Sequence, residues 1–279
     1  MTLAQTQERA GPFRTPRNTA QEVKGSIHDD ATASKLGFKG GTVAGSIHMD
    51  QFAPELLDLY GEAWFESGCL SLMFKQATVD GEPVRTIVRP GPERARLTMF
   101  NEPGALICEG TASAGADDGA ELAGRWKTQE PAAPGALRIL RELKVGDEAK
   151  DIPLEITSEA LARRLETITE DLPLYRERGV LPPSMAVLLA HGARQAVVAS
   201  AGKTVGLFGA LQVQHLKGPL LAATPYVGRT KVYALSESPK TENVWYEVTI
   251  ADQGGGGDVA RVLFFLRFLK GSSPLWTQA

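Results

Sequence analysis

The sequence predicts an α+β fold of two similar halves, each a helix followed by a run of antiparallel strands, and three observations carry that prediction. In each half an apolar segment of helical length precedes four β-like segments bounded by Gly, Pro or Asp. The element order repeats on either side of residues 126–137, WKTQEPAAPGAL, where two prolines and a glycine break the pattern. One helix-plus-sheet unit also leaves a sheet edge unpaired, a liability that calls for a partner. The boundaries that follow are an N-terminal arm over 1–20, a first half over 21–125, a linker over 126–137 and a second half over 138–279.

The arm is polar and holds Gly11, Pro12 and Pro16, which predicts a segment that is disordered or lies across a neighbouring surface. His28, Asp29 and Asp30 then open a short alanine-rich helical turn that ends at Gly37, with acidic residues at its start and glycine after its end. Gly40 and Gly41 free the backbone. From Val43 the residues Ile47, Phe52, Leu56 and Leu57 recur near helical spacing and predict a central helix over 43–59. Its small residues Ala44, Gly45 and Ser46 allow close approach at an N-terminus able to polarise a carbonyl oxygen, and His48 lies on the same helix. CLSLMFKQATV, EPVRTIVRP, ARLTMFNE and ALICEGTASAG read as strands. In the second half PPSMAVLLAHGARQAVVAS predicts a central helix over 183–199, and GALQVQHLKGP, GRTKVYALSES, ENVWYEVTIAD and VARVLFFLRFLKG supply strands.

Composition narrows the function. A chain of 279 residues that is 43% hydrophobic can bury a large core, and a net charge of -3 without a basic run argues against a nucleic-acid partner. There is no P-loop and no zinc-type Cys/His cluster, so no metal or other cofactor is implied. Cys69 and Cys108 are expected to be reduced, buried thiols. No apolar run reaches the roughly 18 residues of a membrane span, and the start lacks the apolar core of a signal peptide, so a cytoplasmic protein without a membrane partner is expected.

The run IHDDATASKLGF followed by GGTVAG resembles the MaoC-like, or R-specific enoyl-CoA hydratase, family of acyl-thioester enzymes. The family motif reads Asp, any residue, Asn, Pro, Ile or Leu, then His. Here Ile27 and His28 match, while the Pro, Asn and Asp positions hold Ser26, Gly25 and Val23. LKVGDEAKDIPLEITSEALARRLETITEDLPLY resembles the opening of a second unit of that family, in which Asp171 falls on the catalytic Asp and Tyr175 on the catalytic His. The resemblance implies a double hotdog, two antiparallel sheets joined edge to edge, each wrapping a central helix. It also implies a hydratase or dehydratase acting on an acyl thioester, with a hotdog thioesterase or a non-catalytic acyl-binding protein as alternatives.

Adding water to a conjugated thioester needs a base for the water, an acid for the α-carbon and donors for the enolate oxygen. The residues expected to supply proton transfer are His28, with Asp29, Asp30 or Glu22 as its carboxylate, and Asp171 with Tyr175 in the second half. Gly45, Ser46 and His48 are expected to bind substrate, with oxyanion donors near Ala44 to Ser46 or near Pro183 to Met185. Arg267 and Lys270 are placed to meet a CoA phosphate, whereas His191 and His215 receive no role. The partner is a small molecule, an acyl-CoA thioester. A homodimer is also expected, because the final strand VLFFLRFL would be costly to leave exposed.

Overall fold

A computed structural model of the chain describes residues 7–115 and 121–277. The β-like segments of the first half become β2 (Cys69–Phe74), β3 (Val84–Arg89), β4 (Ala95–Asn101) and β5 (Leu106–Ser113). The second half supplies β6 (Glu148–Leu154), β7 (Gly206–His215), β8 (Tyr226–Glu237), β9 (Thr241–Asp252) and β10 (Asp258–Leu269). With the short β1 (Arg9–Ala10), the described strands form one antiparallel sheet in the order β1-β3-β4-β5-β2-β7-β10-β9-β8-β6. Five strands of each half therefore meet at the β2–β7 seam, whose register runs from Cys69 opposite Gln214 to Met73 opposite Ala210. Leu70, Leu72, Leu211 and Val213 on the seam face the main core, which holds the central helices on one side of the sheet.

The first central helix is broken where one continuous helix was expected. Helix α2 (Gly45–Asp50) ends, and α3 (Ala53–Tyr60) begins with Pro54 in its first turn. Proline has no N–H to give the carbonyl four residues earlier and disfavours helical backbone before it, so the ladder stops at Gln51 and Phe52. The arm repairs the break: Arg14 donates to the Gln51 carbonyl at 3.1 Å and to Glu55 at 3.1 Å, both part-buried. Residues 9–14 lie along β3 through the Arg9–Ala10 pairing and the Arg14–Val84 bridge, so this part of the arm is an edge strand of the first half.

Helix α8 (Pro183–His191) packs against α2 and ends at Gly192, shorter than the span read from the sequence. The two run antiparallel, because Asp50 at the end of α2 meets Ser184 at the start of α8. On the outer face of the sheet, Leu122 and Trp126 cover Trp245, Leu263 and Ala210, and Trp126 stacks on Tyr233 at 4.7 Å. Strand β10 sits between β7 and β9 with Val262, Phe264, Leu266 and Phe268 buried. The exposure that motivated a homodimer therefore does not exist at this segment. Both cysteines are buried free thiols, and burial pushes Cys69 up to about 11 and Cys108 still higher.

Close approach at the seam requires glycine at one position of β5. A Cβ on Gly110 would stand 1.8 Å from the Ser71 carbonyl oxygen of β2, a backbone contact that no rotamer change relieves. Gly110→Ala should therefore lower stability by about 1–3 kcal/mol, read as a fall in Tm by circular dichroism. An unchanged Tm would show that β5 can move off the seam strand at no cost.

Candidate functional site

The turn carrying His28 is fixed by its own sequence. Asp29 caps α1 (Asp30–Lys35): its carboxylate accepts from the Ala31 N–H, the Gly25 N–H and the Thr32 hydroxyl, and these bonds hold it down at about 2. Asp30 accepts from the Gly41 N–H at 2.7 Å and so ties the glycine-rich loop to the turn. Gly41 is required there, since a Cβ would stand 2.2 Å from the His28 carbonyl oxygen. Asn18 of the arm donates to that same oxygen at 2.8 Å. The His28 ring is then oriented by Nδ1, which lies 2.7 Å from the Thr42 carbonyl. A carbonyl only accepts, so Nδ1 carries the proton in this contact and the neutral ring keeps Nε2 as its basic nitrogen.

His28 lines a cavity of about 350 Å³ between the two halves. The cavity lies where the seam ends, for beyond Met73 and Ala210 the wall is made by residues 74–77 and 206–208. Phe38, Phe74, Phe208 and Phe268 give it apolar walls, and Gly45 at the start of α2 forms part of its floor. A Cβ on Gly45 would stand 2.8 Å from the Phe74 ring, so the ring reaches this backbone only because the residue is glycine. Helix α2 has no side-chain cap, which leaves its first N–H groups for a ligand or water. His48 also lines the cavity; its Nε2 meets the Thr78 hydroxyl at 2.9 Å, and burial holds the ring neutral, lowered to about 4.

The second half contributes His191, Arg194 and Arg267 to the same cavity. His191 is lowered to about 4, by burial first and by the neighbouring Arg194 second. Arg267 thus reaches the site, whereas Lys270 pairs with Glu237 at 2.7 Å and packs on Trp276. Sequence reasoning assigned His191 no role. Its only cue was an ionisable residue ending an otherwise apolar helix, and antiparallel packing of α2 and α8 is what carries it to His28's side. Among the described residues no Asp or Glu lines the cavity. Val23, on the family's Asp position, is 55% exposed. A larger groove of about 750 Å³ lies on the outer face beside Arg89, Glu93 and Arg96, but it is lined by no histidine and carries both signs of charge.

Asp171 and Tyr175 are not brought to this cavity. The Thr42 N–H donates to the Ile27 carbonyl as the Val180 N–H donates to Leu174, and Thr42 bridges Val79 as Val180 bridges Leu221. Tyr175 is therefore the counterpart of His28, at the opposite end of the seam. There the space is filled: Phe65 packs edge-on against Tyr175 at 6.0 Å, and Trp64 against His215 at 5.9 Å. The cavity beside Phe65 and Leu174 measures about 10 Å³, room for one water at most. The Tyr175 phenol is fully buried, and burial pushes its pKa well up. Asp171 is surface-exposed and pairs with Arg176 at 2.7 Å.

The N-terminus of α8 is also occupied. Asp50 accepts from the Ser184 N–H at 2.6 Å and from Arg164 at 2.6 Å, so a carboxylate from the first half sits where the second half's oxyanion donors would point. Arg164 also donates to the Ser184 hydroxyl at 3.2 Å and approaches Glu170 at 3.5 Å. Glu170 accepts in turn from Thr169 and Gln51.

The architecture is a double hotdog, and solved structures with this fold superpose over almost the whole chain. A MaoC domain dehydratase from Chloroflexus aurantiacus is similar at a TM-score of 0.60 and 12% identity, covering 95% of this chain and 95% of that one. A conserved hypothetical protein from Mycobacterium tuberculosis, described as having a double hotdog fold, is similar at 0.60 and 12% identity, with 96% and 97% covered. A MaoC-like dehydratase gives 0.55 and 12% identity, with 95% and 99% covered. No protein-family model and no curated protein matches the sequence. At such identity the likeness is one of fold.

The buried carboxylates make the filled end of the seam pH-sensitive. Burial, with Asp50 as neighbour, raises Glu170 from 4.5 to about 7, and burial likewise raises Asp50 against the pull of Arg164. A carboxyl with a raised folded pKa binds its proton more tightly when folded, so its contribution to stability is full in acid and lost as pH climbs to about 7. Glu170→Gln removes that loss. The variant's Tm minus the wild-type Tm should rise between about pH 4.5 and about pH 7 and then level off. Taking the difference cancels His48, His191 and His215, each lowered to about 4, which act in the opposite sense. A pH-independent difference would show that Glu170 ionises normally.

Proposed function

We propose that the chain is a hydratase or dehydratase of a short acyl thioester, acting by general acid–base catalysis at His28. The observation that carries this reading is the open cavity at His28, whose ring has Nδ1 committed to Thr42 and Nε2 left as a base. In hydration the water proton passes to Nε2 while the water oxygen bonds to the β-carbon. The electron pair of the double bond moves to the α-carbon and thioester oxygen, and the first N–H groups of α2, from Gly45 and Ser46, stabilise the enolate. The proton on Nε2 then goes to the α-carbon, completing the addition of one water. One imidazole serving both transfers suits a cavity without a carboxylate; His48 and His191, neutral by burial, bind and orient the substrate.

A second reading is an acyl-binding protein without turnover, and the same lack of a carboxylate supports it. Following the conjugated thioester absorbance of crotonyl-, longer enoyl- and aromatic enoyl-CoA separates the two. General acid–base groups contribute about 100- to 10,000-fold, so His28→Ala should lower kcat/KM by at least about 100-fold. The half-buried ring packs little core, so Tm should hold within about 2 °C. Asp171→Asn and Tyr175→Phe should leave kcat/KM within about 3-fold, since neither group reaches the cavity. Silence of His28→Ala on an active enzyme would sink the assignment; a wild-type protein that binds every thioester and converts none would favour the binding reading.

A further inference from the structure

We propose that the acyl group received by this cavity carries its own carboxylate, held by the guanidinium group of Arg194. The inference rests on reading the cavity as an acyl-thioester site and specifies the class of acyl group.

The ionisable side chains lining the cavity are His28, His48, Lys75, His191, Arg194 and Arg267, and among the described residues none is acidic. Lys75 is neutralised by Glu109 at 2.8 Å. Arg194 differs: among the described residues its side chain has no hydrogen-bond or ion-pair partner, and its Nε is buried and unsatisfied. Arginines elsewhere in the core are satisfied, as the part-buried Arg14 is by Glu55 and the buried Arg164 by Asp50. Lining an apolar pocket with an unpaired guanidinium is costly, and a hydrocarbon acyl tail would add to that cost by displacing the water that solvates it. A carboxylate reverses the balance, because it can accept paired N–H bonds from a planar guanidinium.

The placement of Arg194 is consistent with this role. It opens the turn directly after α8, and its guanidinium carbon lies 5.7 Å over the ring of Phe268, itself a wall of the cavity. It also acts electrostatically on His191. Arg267 takes another course: its stem lies against Gly209 beside the Phe265 ring, on the outer face of the sheet and away from Arg194, so it borders the cavity without sharing this subsite. Arg194 belongs to the second half, while His28 and Gly45 belong to the first. A short acyl chain bridging the cavity can place its thioester carbonyl on one wall and a terminal carboxylate on the other.

The test uses N-acetylcysteamine thioesters, which lack every phosphate of a CoA carrier. Butyryl and succinyl thioesters differ by a terminal methyl against a carboxylate and have no double bond to hydrate, so calorimetry reads binding alone, with a free-thiol assay confirming that they stay intact. Succinyl-N-acetylcysteamine should bind wild type at least 10-fold tighter than the butyryl compound. The gap should shrink below 3-fold in Arg194→Gln and should persist in Arg267→Gln, which removes the bordering cation, and in Arg194→Lys, which keeps the charge and controls for packing. Equal or undetectable binding of the two compounds, or a gap that survives Arg194→Gln, overturns the proposal. So does the finding that Arg194→Gln loses only the preference for butyryl-CoA over butyryl-N-acetylcysteamine, which would assign the Arg194 guanidinium to carrier phosphates. Failure of the hydration reading is separate: if enoyl thioesters are not converted but the succinyl preference stands and depends on Arg194, the subsite holds and the chemistry does not.

Discussion

The pairing of β2 with β7 is the constraint on which the rest of the molecule depends. Each half alone would present that strand as a bare edge, with unpaired N–H and C=O groups and an apolar inner face bearing Leu70, Leu72, Leu211 and Val213. Joining the edges antiparallel makes one sheet and relates the halves by an approximate twofold. The central helices are forced into the consequence: α2 and α8 lie side by side and antiparallel, so the N-terminus of each faces the far end of the other. Two equivalent ends of the seam result, each with a motif turn, a helix start and the end of the opposite helix.

The ends then diverge through side chains. At one end the seam stops at Met73 and Ala210 and leaves room that residues from both halves line. At the other, the His215 N–H donates to the Gly68 carbonyl and the Gly218 N–H to Glu66, so the backbone stays joined past the last ladder pair. Trp64, Phe65, Tyr175 and His215 fill the volume, and Asp50 occupies the helix start. A buried ion pair is weak evidence for net stability, because desolvation offsets much of its attraction. What the Asp50–Arg164 contact does supply is register between the halves: one buried carboxylate links the end of α2 to Arg164 of α6 (Ser158–Leu165) and to the Ser184 N–H at the start of α8.

Much of this was legible in the sequence and some was not, for identifiable reasons. Strand positions and the duplication followed from turn residues and apolar runs, which are local properties. The His28 turn was legible for the same reason: Asp29 caps it, Gly37 closes it and Gly41 permits its contact, all within one short segment. The break in the first central helix was also written locally, at Pro54, but the apolar spacing on either side hid it. His191, Arg194 and the Asp50–Arg164 contact were not legible, because each gains its meaning from a partner in the other half. Asp29 misled in the opposite way. A carboxylate adjacent to a candidate catalytic histidine reads as its helper, yet both of its oxygens are engaged by Gly25, Ala31 and Thr32 of its own turn.

The cavity's charge follows from the same division of labour. Carboxylates of the core are spent on architecture: Asp29 on a helix start, Asp50 and Glu170 on Arg164, Glu55 on Arg14 and Glu242 on the backbone N–H groups of Arg138, Ile139 and Leu140. None of them lines the cavity, and burial keeps His48 and His191 neutral, the former against the pull of Glu82. A bound anion would change that, since a negative charge beside a buried imidazole raises its pKa and draws a proton to it. The protonation state of the site is thereby coupled to what occupies it. An anionic ligand beside Arg194 would pair with its guanidinium and raise the proton affinity of His191 and His48, the two rings that burial holds neutral.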